Sequence, residues 1–149
     1  MKNLMLLSVG ALAFASCAPM MMAPASYTFA PQVSVPAGVV PVGTATASVA
    51  NMMTSTTVKM TGLAANTYYV GHYHLMGTAS ADPCKSGGTP IMSSKMVGQT
   101  DATGALTLSG SVNSADIAAA TYLNVHTASD AMGTPADGGV ACTPTKHSM

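Results

Sequence analysis

From Val42 to His126 the chain is written as short runs of β-branched and small polar residues, each cut off by a turn signal. Val42–Val49 reads VGTATASV, Ser55–Met60 reads STTVKM and Thr67–His74 reads TYYVGHYH. Ile91–Val97, Ala105–Val112 and Thr121–His126 continue the series. Turn signals stand at Gly62–Asn66 (GLAAN), Gly87-Gly88, Asp101–Gly104 (DATG) and Gly138-Gly139. Thr and Val fit a pleated surface, and runs this short cannot support helices. The pattern predicts an all-β domain, an antiparallel sandwich or barrel. Ser114–Ala120 (SADIAAA) is the one helical candidate. Ser114 is its expected cap, Asp116 lies early in the turn, and it should make a single turn.

Composition narrows the function. The 149 residues suit one domain. Only 7% are charged, the formal net charge is zero, and neither Arg nor Glu occurs. So neutral a chain without Arg is a poor nucleic-acid binder. At 48% hydrophobic residues it is too apolar to be disordered. Gly87-Gly88 lacks the strand–helix setting and following Lys of a phosphate loop. No Ser or Cys stands in a recognisable nucleophile motif with His and an acid.

Residues 1–16 (MKNLMLLSVGALAFAS) read as a secretory signal: Lys2, the apolar stretch Leu4–Phe14, then Ala15-Ser16 before a cut. The stretch is too short for a stable membrane anchor. Ala15-Ser16-Cys17 resembles the end of a bacterial lipobox, with Phe14 where Leu is usual. That resemblance implies lipidation of Cys17, a membrane anchor and an address in the bacterial cell envelope or periplasm. Acyl chains would hold firmly at about 0.8 kcal/mol per buried CH₂. Residues 17–42, rich in Pro and Met, read as an extended tether, and 43–149 as the folded domain. Met20-Met21-Met22 offers soft thioethers to Cu(I), or merely an apolar tether beside lipid.

Export places the chain where disulfides form. With Cys17 lipidated, Cys84 and Cys142 leave one pairing. A bridge closing a loop that long stabilises by about 4 kcal/mol in the loop-entropy model. It would also pin a last segment that has little apolar content. Neither Cys has the paired spacing of a metal site.

The histidines are where chemistry can reside. His72 and His74 are two apart on an expected strand, so both point to one face. Two convergent imidazoles suit Cu, Zn or Ni. His126 ends another strand and is the candidate third ligand; His147 in the tail is a candidate fourth. Spacing alone leaves open whether they meet.

Four pieces of the chain resemble copper/zinc superoxide dismutases. Gly71–Gly77 (GHYHLMG) is similar to their Phe-His-Val-His-Glu-Phe-Gly strand, and Cys84–Gly88 (CKSGG) to Cys-Thr-Ser-Ala-Gly. Val125–Gly133 (VHTASDAMG) is similar to Val-His-Glu-Lys-Ala-Asp-Asp-Leu-Gly, and Gly139–Cys142 (GVAC) to Arg-Leu-Ala-Cys. They come in family order. Thr107–Val112 and Asp116–Thr127 also resemble the chordin-type CHRD module with its Asn-Val-His-Thr signature.

The resemblance implies an immunoglobulin-like antiparallel β-sandwich with copper on His72, His74 and His126, and a Cys84–Cys142 disulfide. It implies that Asp130 holds a ligand imidazole, where the alternative is an Asp turning its own loop. The departures are specific. Pro90 stands where the family has its metal-bridging His, and no His lies between His74 and His126, so zinc is not expected. Gly139 replaces the arginine that draws superoxide in; Lys85, Lys95 or Lys146 could substitute in part. Three expectations follow. The first is an exported copper-binding protein for sequestration, tolerance or oxidative defence. The second is an active copper-only dismutase acting on superoxide. The third is a CHRD-like structural module without metal. The fourth copper position falls to His147, Met76, Met132 or water.

Overall fold

The computed structural model describes residues 23–145. Nine strands form two antiparallel sheets. They are β1 (Ala25–Thr28), β2 (Ala30–Pro31), β3 (Val42–Ala50), β4 (Met53–Thr61), β5 (Tyr68–Leu75), β6 (Met96–Gln99), β7 (Leu106–Asn113), β8 (Ala120–Thr127) and β9 (Ala141–Pro144). One sheet runs β1-β3-β4-β7 and the other β2-β9-β8-β5-β6. The all-β sandwich expected from the sequence is what forms.

The four-stranded sheet follows the period-two rule. In β4, Thr54, Thr56, Val58 and Met60 are buried while Met53, Ser55, Lys59 and Thr61 are exposed. Alternation of this kind lets one face pack and the other meet water. Its inner face meets Tyr69, Tyr73, Leu123 and Val125 of the five-stranded sheet, forming one core with Leu108, Met96 and Phe29. Burying side chains of this size contributes roughly 1.5–3 kcal/mol each.

The five-stranded sheet departs from that rule where it matters. In β5 every residue from Tyr69 to His74 is buried, and in β8 every residue from Tyr122 to His126. Tyr73, whose hydroxyl bonds Thr56 across the sandwich at 2.8 Å, marks the inner face. Val70, His72 and His74, with Tyr122, Asn124 and His126, therefore share the outer face. That face is covered by loops 76–91 and 128–140, which bond down onto it.

Three sequence expectations need correction. Residues 17–42 are not tether throughout. From Ala25 they pair with both sheets: Ala25–Thr28 with β3, and Ala30-Pro31 with β9. Phe29 between them is 6% exposed and drives the crossing from one sheet to the other. The expected strand Ile91–Val97 splits into a 3-10 turn at Met92–Ser94 and then β6. Ser94 causes the split, because its hydroxyl accepts from Tyr73 N and donates to Ile91 O, replacing ladder bonds. Residues 114–119 form successive turns rather than a helix. Asn113 caps them, its Oδ1 accepting from Ala115 N, while the Ser114 hydroxyl bonds Thr54 on β4.

Cys84 and Cys142 form the expected disulfide, with Cα atoms 5.9 Å apart. It ties the 3-10 turn Pro83–Lys85 to β9. Among the described residues no helix is long and apolar enough to cross a membrane. The signal segment, Cys17, Met20–Met22, Lys146 and His147 lie outside the described residues.

Candidate metal centre

Strand register brings the three imidazoles together. His72 and His74 project from one face of β5 as neighbours at i and i+2. In the adjacent β8, Asn124 lies opposite His72 and Tyr122 opposite His74, so His126 is diagonal to His72. Diagonal side chains on paired strands remain within reach of long or ring side chains. Ring centroids are 4.7 Å apart for His72–His74, 4.9 Å for His72–His126 and 5.8 Å for His74–His126. One nitrogen from each ring lies within 4.8 Å of the other two, and all three residues are buried.

The hydrogen bonds show which nitrogens are free. His74 Nδ1 donates to the Gly88 carbonyl at 2.8 Å, and His126 Nδ1 to the Asp137 carbonyl at 3.0 Å. A carbonyl only accepts, so both rings carry a proton on Nδ1, and Nε2 is the nitrogen each could offer to an ion. His74 Nε2 is 2.9 Å from His72 Nδ1 and takes that nitrogen's proton as its hydrogen bond. His126 Nε2 is buried with no hydrogen-bond partner among the described residues. A buried polar atom left unmade costs about 1–3 kcal/mol. A cation at the centre of the three rings would satisfy it.

Electrostatics favour neutral, ligand-ready imidazoles. His72 is pushed down to about 4, first by burial and then by His74, His126 and the Lys95 ammonium. His74 is also lowered, chiefly by burial, although the Gly88 carbonyl opposes the shift. Metal binding needs deprotonated imidazole, so little proton release stands in its way at neutral pH.

The supports come from the two covering loops. Tyr122 stacks on His74 with ring centroids 4.5 Å apart and planes 17° from parallel. Its hydroxyl accepts from Gly88 N at 3.0 Å, holding the peptide whose carbonyl orients His74. Gly88 itself must be glycine, because a Cβ there would collide with the Leu75 carbonyl. The Asp137 carboxylate stands 3.6 Å from His126 Nδ1 and accepts from Thr127 N and Gly139 N. Burial pushes Asp137 up, but hydrogen bonds from His126, Thr127 and Gly139 outweigh it, and the net shift is down.

Asp137, not Asp130, is thus the carboxylate beside a ligand ring. Asp130 accepts from Met132 N and Thr134 N and turns its own exposed loop. The signal for Asp137 was present as an Asp directly before Gly138-Gly139, which by itself indicates only a turn. Pro90 bridges to His74 through the backbone and brings no ligand. Met76 and Met132 are exposed at 42% and 75%, so neither fills the core. Lys85 is 3.3 Å from Asp82, whereas Lys95 donates to the Met132 carbonyl and acts on His72 through its charge.

No known family matches this chain, and no curated protein matches it. The buried trio His72, His74 and His126 could hold one metal ion, and the disulfide is consistent with export.

Proposed function

We propose that the chain is an exported copper-binding protein of the bacterial cell envelope, serving copper sequestration, tolerance or oxidative defence, with its ion on His72, His74 and His126. The observation that carries this is the convergence of one ring nitrogen from each of three buried imidazoles within 4.8 Å, one of those nitrogens having no partner among the described residues. An all-imidazole donor set suits copper, and no carboxylate or thiolate stands among the three to favour a harder or softer choice. Copper held there would supply one-electron chemistry between Cu(I) and Cu(II). Lipidation of Cys17 would keep the domain at the membrane.

An active copper-only dismutase is the second reading, and Lys95 favours it. Its positive charge lies close enough to depress His72, and a cation near the site would draw an anion toward it. Zinc is disfavoured because Pro90 contributes no imidazole.

Metal analysis of the expressed protein, with EPR of its Cu(II) form, tests the proposal. One copper per chain and a tetragonal nitrogen-ligated signal, lost in His126→Ala, is the expected result. Zinc alone in stoichiometric amount overturns the copper assignment; no metal bound tighter than micromolar overturns the metal site altogether and leaves a CHRD-like module. Superoxide turnover by the copper form separates the two readings. Turnover no better than aqueous copper means storage; turnover approaching the diffusion ceiling means an enzyme.

A further inference from the structure

Two of the three imidazoles have a built acceptor for the ring nitrogen that faces away from the centre. His74 has the Gly88 carbonyl and His126 the Asp137 carbonyl. The only hydrogen bond the His72 ring makes with another described residue is the one at Nδ1, toward His74. A ligand histidine almost always donates its other N–H to an acceptor, which fixes the tautomer and strengthens the ligand. An ion held by His72 Nδ1 would leave the neutral ring's proton on Nε2, where it needs an acceptor.

The outer sheet face contains one that is unused. Asn124 lies directly opposite His72 in the β5–β8 register, is 5% exposed, and its Oδ1 is buried without a partner among the described residues. Its Nδ2 donates to the Gly138 carbonyl at 3.2 Å, which fixes which end of the amide is oxygen. The Gly138-Gly139 turn is shaped around this amide. Gly139 sits at φ +115° and has no room for a Cβ against Asn124. The other unpartnered oxygens on β8, those of Thr121 and Thr127, fall on the opposite face by strand alternation.

We infer that Asn124 is the positioning residue for His72, its Oδ1 accepting the Nε2–H that His72 carries when Nδ1 binds the ion. Among the described residues neither this oxygen nor His126 Nε2 has a partner. Both acceptors are then satisfied by the same event, one by the ion and one by the proton on His72 Nε2. The inference rests on the three-histidine reading and assigns the third outer acceptor that this reading lacks.

The test uses the full chain, with Zn²⁺ or Cu(I) as diamagnetic probes and His126→Ala as control. Asn124→Leu should weaken binding about 10- to 100-fold. Asn124→Asp, which keeps an acceptor oxygen, should stay within a few-fold of the parent. Imidazole nitrogen NMR of the loaded parent protein should show His72 bound through Nδ1, with Nε2–H protected from exchange. That measurement stands even where Asn124→Leu does not fold. Binding through His72 Nε2, or unchanged affinity in Asn124→Leu while His126→Ala loses the metal, overturns this inference and leaves the copper centre standing. A parent protein that binds neither probe overturns both.

Discussion

At the residue scale the centre is a balance between solvation and coordination. Three imidazoles out of water are costly unless their nitrogens are paired, and His126 Nε2 has no partner among the described residues. His126→Ala removes a ligand outright, so it should lower copper affinity by more than ~100-fold, beyond the range of losing an outer partner. Competition titration with a chelator reads this directly. Acid should act on the metal-free protein in a definite direction. His72 takes its proton near 6.5 when unfolded but only near 4 when folded. Between these values the unfolded chain binds more protons, so stability is full above about 6.5 and falls as pH drops toward 4. The lowered Asp137 adds loss in the same direction at more acid pH. Chemical denaturation across pH 7 to 4 should show this decline, and loading with metal should suppress it down to the pH where the ion dissociates. A stability independent of pH in that window would contradict the burial of neutral imidazoles.

At the element scale, loop 76–91 links the disulfide to the centre. Cys84 is tied to β9, and four residues later Gly88 orients His74 and is itself held by Tyr122. Cys84→Ser with Cys142→Ser opens a crosslink spanning 58 residues. The loop-entropy model puts the loss at about 4 kcal/mol, or a fall in melting temperature on the order of 10–20 °C. Calorimetry of the double variant measures it. The same variant should also bind copper more weakly, because the loop carrying Gly88 is no longer fastened at its base. The strands show how far sequence reading reaches at this scale. β3, β4, β5, β7 and β8 were legible because each repeats a period-two pattern of Thr, Ser, Val and Tyr between turn residues. β6 was only half legible, since nothing in Ile91–Lys95 (IMSSK) reveals that the Ser94 hydroxyl will bond Tyr73 N. β1, β2 and β9 were missed because they are short edge or near-edge strands whose pairing is settled by partners far along the chain.

At the scale of the whole molecule, the domain begins before the composition says it does. β1 and β2 add a strand to each sheet, and Phe29 plugs the core between them. A protein begun at Ala23 should fold, while one begun at Gly43 should lose both strands and expose the core. Phe29→Ala alone should cost ~3–5 kcal/mol. Urea unfolding of the three forms checks the order, and a Gly43 form as stable as the Ala23 form would refute it. The candidate site shows the same division. The pair His72 and His74 was legible as a chelate from strand period alone. Inclusion of His126 needed the β5–β8 register, and the exchange of Asp130 for Asp137 needed the path of the last loop.

The sequence by itself determined the class of the fold, the single pairing of its two downstream cysteines and that the two histidines of β5 share one face. These rest on local periodicity, turn chemistry and counting, which neighbouring residues carry among themselves. Only the tertiary structure decided that both faces of β5 and β8 are buried, that His126 meets the other two rings, and that Asn124, Tyr122, Gly88 and Asp137 surround them. Those relations join residues distant in the chain through register and loop path, and such contacts leave no mark on the local pattern of the residues that make them.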